Sequence, residues 1–282
     1  MEIPKRTVLI TGCSDGGMGA ALAKEFHQAG LHVYATARDT AKMASLSSLA
    51  IQTLPLDIQS DSSIEDCVKQ IPHLDILLNN AGAMYTMPIA DISVPEAKTI
   101  FDINVWGNII LTQAFLPLLL KSKQPIIVNH TSTGVGVSIP FQAVYNASKA
   151  AMSRFSDTMR LELEGFGIKV IELRTGGVKT NVVNNLRENQ TRLPQGSIYT
   201  PAKEQMEKSL RGEYFDGRGI SPEQWAKEVV SDLLKKNPAP LIWRGESASL
   251  AWFAGFFPPR WFDGMFKKMT GLDKVEQVVQ RQ

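Results

Sequence analysis

The chain has 282 residues, with 30 Lys and Arg against 28 Asp and Glu, a formal net charge of +2. Hydrophobic residues make up 44% and charged residues 21%, ordinary proportions that exclude collagen-like, low-complexity and disordered chains. The longest basic clusters are pairs, such as Lys235 with Lys236 and Lys267 with Lys268, so no footprint for nucleic acid is expected. Cys13 and Cys67 lie far apart, and the histidines at 27, 32, 73 and 130 are scattered. Neither pattern has metal-ligand spacing, and no metal site is expected. The length admits one large α/β domain or two small ones.

Taken in chain order, short apolar runs alternate with segments of helical period. The runs 7–11, 33–37, 51–56, 74–78, 126–129 and 170–173 are rich in Val, Ile and Leu, which suits strands buried on both faces of a parallel sheet. Helices are expected over 20–29, 41–49, 63–70, 95–120 and 145–164. Such alternation predicts a Rossmann-type α/β fold, a doubly wound parallel sheet with helices on both faces. Ser221-Pro222-Glu223-Gln224 opens a further helix to about residue 236, as an N-cap followed by Pro at N1. Residues 241–243 add a strand. The polar stretch of about 182–220 reads as an insert, and the aromatic-rich 245–282 as an extension beyond a nucleotide-binding domain of 1–244.

The first strand runs straight into Thr11-Gly12-Cys13-Ser14-Asp15-Gly16-Gly17-Met18-Gly19, and a helix follows. Glycines let the backbone turn tightly and approach a pyrophosphate, and the helix N-terminus adds unpaired N–H groups. Dinucleotide binding is therefore expected, with Gly12, Ser14, Gly16, Met18 and Gly19 around the phosphates. An ordinary βα turn is the bland alternative, and a P-loop lacks its Gly-Lys-Ser/Thr ending. The second strand ends Thr36-Ala37-Arg38. An acidic residue there would select NAD, whereas Arg38 suits a 2′-phosphate, so NADPH/NADP+ is the expected cofactor. Asp39, one step on, leaves room for NAD. Asp57 is placed to meet the adenine amino group, or else caps a helix.

The fourth strand ends Asn79-Asn80-Ala81-Gly82, the long helix contains Asn104, and the fifth strand ends His130-Thr131-Ser132. Tyr145 and Lys149 then stand at i and i+4, on one helix face. A Tyr-x3-Lys match is weak alone. Its order behind Ser132 and the end of a parallel strand gives it weight, because ligands in such sheets bind outside the carboxyl ends of strands.

These ordered signals, from the glycine loop through Asn-Asn-Ala-Gly, Asn104, Ser132 and Tyr-x3-Lys, resemble the short-chain dehydrogenase/reductase family over roughly residues 6–182. The resemblance implies a catalytic set of Asn104, Ser132, Tyr145 and Lys149. It implies cofactor contacts from Asn80, Ala81, Gly82, Tyr145 and Lys149 as well. Two departures, Gly16-Gly17-Met18-Gly19 in the loop and Thr175-Gly176-Gly177-Val178 where Pro-Gly is usual, look like the 1-acyldihydroxyacetone-phosphate reductase branch. There Val178 and Thr180 would contact the nicotinamide amide and the diphosphate. The chemistry expected is hydride transfer to a ketone. Tyr145 donates the proton, its pKa lowered by Lys149, and Ser132 orients the carbonyl. Asn104 would hold a water that links Lys149 to solvent. Oxidation of a secondary alcohol, or non-redox work such as cyclisation on a bound-NADPH scaffold, stays open.

Substrate contacts are expected from Tyr85, Thr133, Phe141, Tyr199 and Met206. The aromatic stretch from Trp243 to Phe266 admits three readings: packing or a subunit interface, a pocket wall, or a membrane-interface patch. The start MEIPKRTVLITG shows only a three-residue apolar run, so no signal peptide is expected. Sequons at Asn129 and Asn146 fall within the candidate site, where a glycan does not fit. A cytoplasmic protein is expected, with an internal membrane or lipid droplet as a peripheral alternative. Resemblance further implies a homodimer or homotetramer through the long helices.

Overall fold

The computed structural model describes residues 5–181, 186 and 191–280. Seven parallel strands form one sheet in the order β3-β2-β1-β4-β5-β6-β7. They are β1 (Thr7–Thr11), β2 (His32–Ala37), β3 (Gln52–Pro55), β4 (Ile76–Asn79), β5 (Ile126–Ser132), β6 (Lys169–Thr175) and β7 (Leu241–Arg244). The order reverses between β1 and β4, the switch point at which an open α/β sheet forms its ligand crevice. Continuous apolar runs bury both faces of the inner strands. On one face Val8, Ile10, Ile76, Leu78 and Val128 pack against Leu22, Phe26 and Trp225. On the other, Leu9, Leu77 and Ile127 pack against Leu111, Phe115 and Leu119.

The covering helices include α1 (Met18–Gln28), α3 (Asp61–Lys69), α5 (Gly107–Leu119), α6 (Ala143–Glu164) and Pro222–Leu233. The last begins as its sequence predicts, with Ser221 Oγ accepting from the Gln224 N–H at 3.1 Å. Two expected helices are altered. Over 41–49 the chain forms a 3-10 turn at Thr40–Met43 and only a short α2 (Ala44–Ser47), because Asp39 caps at the turn by accepting from the Ala41 N–H. The span 95–120 divides into α4 (Val94–Phe101), a π turn at Asp102–Trp106, and α5. At the turn, Gly107 comes so close to β3's exit that a Cβ would sit 2.8 Å from the Ile58 carbonyl oxygen. Asn108 Nδ2 caps the carbonyls of Ile103 and Asn104 at 3.3 and 3.0 Å, so the freed backbone acceptors find a partner.

The insert and the tail form one satellite core instead of two separate appendages. Phe141, Leu193, Ala202, Met206, Leu210 and Val275 cluster there, with Tyr199 and Leu272 against them. Helices Lys203–Leu210 and Leu272–Val279 supply its two walls. Ser209 Oγ donates to the Thr270 carbonyl at 2.6 Å and Thr86 Oγ1 to the Leu210 carbonyl at 2.7 Å. The first joins the insert to the tail, and the second ties the satellite to the loop after β4. No helix among the described residues is long and apolar enough to cross a membrane.

Candidate active site

The glycine loop is shaped by close approach. Gly12 and Gly16 have φ of +71° and +75°, the left-handed region that a side chain disfavours. A Cβ on Gly19 would collide with the Gly12 carbonyl oxygen and lie 2.7 Å from Asn80 Nδ2. The N-cap of α1 is Gly17, with no side-chain cap and no acid in the first turn. Its first amides and positive dipole end are thus left to an anion. Asp15 does not oppose one, because its carboxylate accepts from Ser45 Oγ and, at 3.2 Å, from the Ser45 N–H. The Ser14 carbonyl closes the turn by accepting from the Gly17 N–H at 3.0 Å. These features fit a dinucleotide diphosphate. Asn181, which motif reading missed, covers the loop by donating to the Asp15 carbonyl at 3.0 Å.

At the end of β2, Arg38 is exposed and has no hydrogen-bond partner among the described residues. Asp39 spends a carboxylate oxygen on the Ala41 N–H at 3.0 Å. Asp57 likewise accepts from the Gln59 N–H at 3.0 Å while Ser60 caps α3. Its local turn capping leaves one carboxylate oxygen for an adenine.

Asn80 is fully engaged within the protein. Its Nδ2 donates to the carbonyls of Thr11 (2.7 Å) and Gly12 (3.2 Å), and its Oδ1 lies 2.9 Å from His130 Nδ1. Thr11 Oγ1 accepts from the amides of Asn80 and Ala81 at 3.0 and 2.8 Å. Asn80 thus shapes the loop from behind, and Ala81 and Gly82 present backbone to the crevice. A Cβ on Gly82 would stand 3.1 Å from Asn104 Oδ1 and 3.2 Å from Lys149 Nζ, so only glycine leaves that corner open.

Asn104, in the π turn, is completely buried. Its Oδ1 accepts from the Ala83 N–H at 2.8 Å, and its Nδ2 donates to the Ala83 carbonyl and to Ser148 Oγ, both at 2.9 Å. Both amide hydrogens are spent inside the protein. Asn104 is therefore a clamp between the loop after β4 and α6, and a water could reach only its remaining oxygen lone pair. Ser148, also missed, passes the link on by donating to the Tyr145 carbonyl at 2.7 Å.

Ser132, Tyr145 and Lys149 do converge. Ser132 Oγ accepts from the Gly134 N–H at 3.1 Å and is bonded to the Tyr145 hydroxyl. Lys149 Nζ donates to the His130 carbonyl at 2.9 Å and lies 5.9 Å from the Tyr145 ring centre. Burial raises the Tyr145 pKa, offset only in part by the Ser132 bond. Burial also brings Lys149 down to about 8, because a buried ammonium loses hydration. The pair thus stands as a protonated phenol beside a lysine that gives up its proton more readily than usual.

Beyond β6, Gly177 exchanges two 2.9 Å hydrogen bonds with Glu246, and Val178 bridges to Ile220. The bridge uses Gly177 O and Lys179 N, so Val178's own N–H and C=O face away from it. Thr180 lies two residues on. Of the expected substrate residues, Tyr85 and Thr133 are partly exposed, and Tyr85 Oη accepts from the Ser93 N–H at 3.1 Å. Phe141 and Met206 lie inside the satellite core, Met206 with no exposed surface, and Tyr199 packs against it. Phe141 and Met206 thus point into this core, and Tyr199 stays partly exposed at its edge. The Phe141 carbonyl accepts from the Met87 N–H at 2.8 Å at a φ of +69°, fastening the wall beside α6. No group of His, Cys, Asp and Glu among the described residues could hold a metal.

The short chain dehydrogenase family model matches residues 6–191. The chain belongs to the short-chain dehydrogenase/reductase family. It is 51% identical over 280 residues, 99% of each chain, to a short-chain dehydrogenase/reductase of Pestalotiopsis microspora. It is 39% identical to the NADPH-dependent 1-acyldihydroxyacetone phosphate reductase of Schizosaccharomyces pombe, over 70% of this chain and 69% of that one. Among solved structures, a short-chain dehydrogenase from Streptomyces avermitilis superposes with a TM-score of 0.76 at 24% identity, covering 98% of both chains. A serine dehydrogenase complexed with NADP+ matches at 0.70 and 25%, over 84% of this chain and 93% of that one. This family member is an oxidoreductase acting between alcohol and carbonyl groups.

Proposed function

We propose that this short-chain reductase uses NADPH to reduce a bulky, largely apolar ketone, with Tyr145 as general acid. The carrying observation is the convergence on Tyr145: it is partly exposed on α6, beside Ser132 and one helical turn from Lys149. A proton donor suits the reducing direction, whereas oxidation would need the phenolate. The reduced dinucleotide, when bound, supplies the hydride. As charge builds on the carbonyl oxygen, the Tyr145 hydroxyl gives up its proton while Ser132 donates a hydrogen bond. Lys149 is fixed by the His130 carbonyl; it would hold the ribose hydroxyls of a bound dinucleotide, and its cation favours the phenolate left behind. Asn104 keeps α6 and the loop after β4 in register.

NADPH over NADH is supported by the exposed Arg38 and by the local engagement of Asp39. Gly12, Ser14, Gly16, Met18 and Gly19 would hold the diphosphate, with Val178 and Thr180 at the nicotinamide end. The reductase of Schizosaccharomyces pombe supports a lipid-like ketone, and a secondary-metabolite ketone fits the same crevice chemistry. Oligomerisation is supported by Trp106 and Phe155, exposed and edge-on at 5.9 Å where the π turn meets α6. The exposed aromatics of the tail support a peripheral membrane contact of a cytoplasmic enzyme. Replacing Tyr145 by Phe should abolish ketone-dependent NADPH oxidation and leave NADPH binding intact; full turnover would overturn the acid role. Arg38→Ala should raise the KM for NADPH and spare NADH, and an equal change in both would refute the 2′-phosphate contact.

A further inference from the structure

We propose that His130 is a positioning residue that sets the distance between the two cofactor-gripping loops, as a neutral imidazole carrying its proton on Nδ1. The inference rests on the dinucleotide reading above and concerns the His130 side chain, whereas that reading uses only its backbone carbonyl. His130 sits in β5, between β4 and β6. Its Nδ1 lies 2.9 Å from Asn80 Oδ1, and its Nε2 lies 2.7 Å from Thr175 Oγ1. Asn80 Nδ2 is already donating to the Thr11 and Gly12 carbonyls, so Oδ1 faces the ring and must accept. The proton is then on Nδ1, and Nε2 is left to accept from the Thr175 hydroxyl.

One row of directed hydrogen bonds therefore crosses four adjacent strands, from Thr175 through His130 and Asn80 to Thr11 and Gly12. Its two ends are the starts of the two loops: Thr175 leads into Gly176 to Val178, and Gly12 opens the glycine loop. The ring is held flat by stacking on Trp225, with centroids 5.4 Å apart and planes 27° from parallel. A protonated imidazole would have no acceptor at Thr175 without turning that hydroxyl. The geometry and the buried surroundings, which bring His130 down to about 3, both favour the neutral ring. Lys149 is held by the backbone carbonyl of the same residue, so side-chain substitutions leave that contact in place.

A rod between two loops matters to a ligand that touches both and not to one that touches a single loop. The test uses titration of the full chain with NADPH and with adenosine 2′,5′-bisphosphate, which reaches only the glycine-loop side. Thr175→Val and His130→Phe should each weaken NADPH about tenfold, the loss of roughly one buried hydrogen bond at 1.4 kcal/mol per decade. They should leave the bisphosphate within about twofold. The double variant should be no weaker than the worse single one, because both break the same row, and Thr175→Ser should restore binding. Equal weakening of both ligands, or losses that multiply in the double variant, would overturn the proposal. Imidazole ¹⁵N shifts of the ligand-free protein should show a protonated Nδ1 and a bare Nε2. The opposite tautomer would overturn it even if His130→Phe fails to fold. If the wild-type chain bound neither ligand, the function reading would fail, and the ¹⁵N result would still judge the ring.

Discussion

The two ends of the parallel sheet carry polar clusters of opposite character. At the carboxyl end, Thr11, Asn80, His130 and Thr175 join through neutral groups, and the Lys149 ammonium beside them is buried, which brings its pKa down to about 8. At the amino end, Asp75 is a charged hub. It accepts from the Thr7 N–H at 2.8 Å, from Ser122 Oγ at 2.5 Å and from His73 at 3.0 Å. The same apolar strands connect both ends. Neutral dipoles hold a ligand crevice at a spacing that does not change with pH, whereas a carboxylate staples β1, β4 and the turn before β5 with charge-assisted bonds that protonation removes. One end is built for a ligand and the other for the fold.

If that division is right, substitutions at the carboxyl end should cost function and those at the amino end stability. The largest expected effect is Tyr145→Phe, a fall in kcat of about 10²- to 10⁴-fold with thermal unfolding little changed. A large drop in melting temperature would mean that the tyrosine serves the fold. Next is Gly19→Ala. The added methyl meets the Gly12 carbonyl and Asn80 Nδ2, which should cost about 1–3 kcal/mol of stability and displace the loop, so that NADPH binding falls further than stability does. Unchanged binding by fluorescence titration would show that the loop relaxes freely. Asn104→Ala blurs the division by design. It strands the Ala83 N–H and C=O, at about 1–3 kcal/mol each, so urea midpoint and kcat/KM should fall together. A loss confined to kcat would return Asn104 to a purely catalytic part.

These contrasts also mark where sequence reading reaches its limit. The strands were legible because a buried parallel strand is apolar throughout, and Tyr145 with Lys149 because one helix turn fixes their common face. The π turn was not. Asp102–Trp106 keeps an ordinary helical pattern, and its cause lies in Gly107 against Ile58 and in the side chain of Asn108. The Asn80–His130–Thr175 row was invisible for a related reason. Each is a polar residue at the end of a different strand, and only the spatial order of β4, β5 and β6 makes them neighbours. Phe141 and Met206 read as pocket aromatics or apolar lid residues because local sequence does not distinguish a side chain facing substrate from one facing a satellite core. Spacing places a lysine beside the phenol, but the burial that raises the phenol's pKa and lowers the lysine's comes from the tertiary fold, which spacing does not show.

The smallest effects test the fold end and the tail. Burial pushes the Asp75 carboxyl up, but bonds from Ser122, the Thr7 N–H and His73 together hold it below the ordinary carboxylate value. A depressed folded pKa contributes stability that is present above the unfolded value, near 3.9, and is lost as pH falls through the folded one. Asp75→Asn should therefore cost about 1–2 kcal/mol at pH 7, and the gap to wild type should close below about pH 4, with kcat/KM unmoved at neutral pH. A gap that widens on acidification would reverse the sign and remove the staple. Smaller still is Phe256→Ser or Trp261→Ser. These side chains are 70% and 68% exposed, and each change should move stability by less than about 0.5 kcal/mol. Aromatics kept on the surface at no benefit to the fold imply an external contact, so the same variants should lose co-flotation with neutral phospholipid vesicles if that contact is lipid. Retained flotation, or a large loss of stability, would place these rings in the structural half of the comparison.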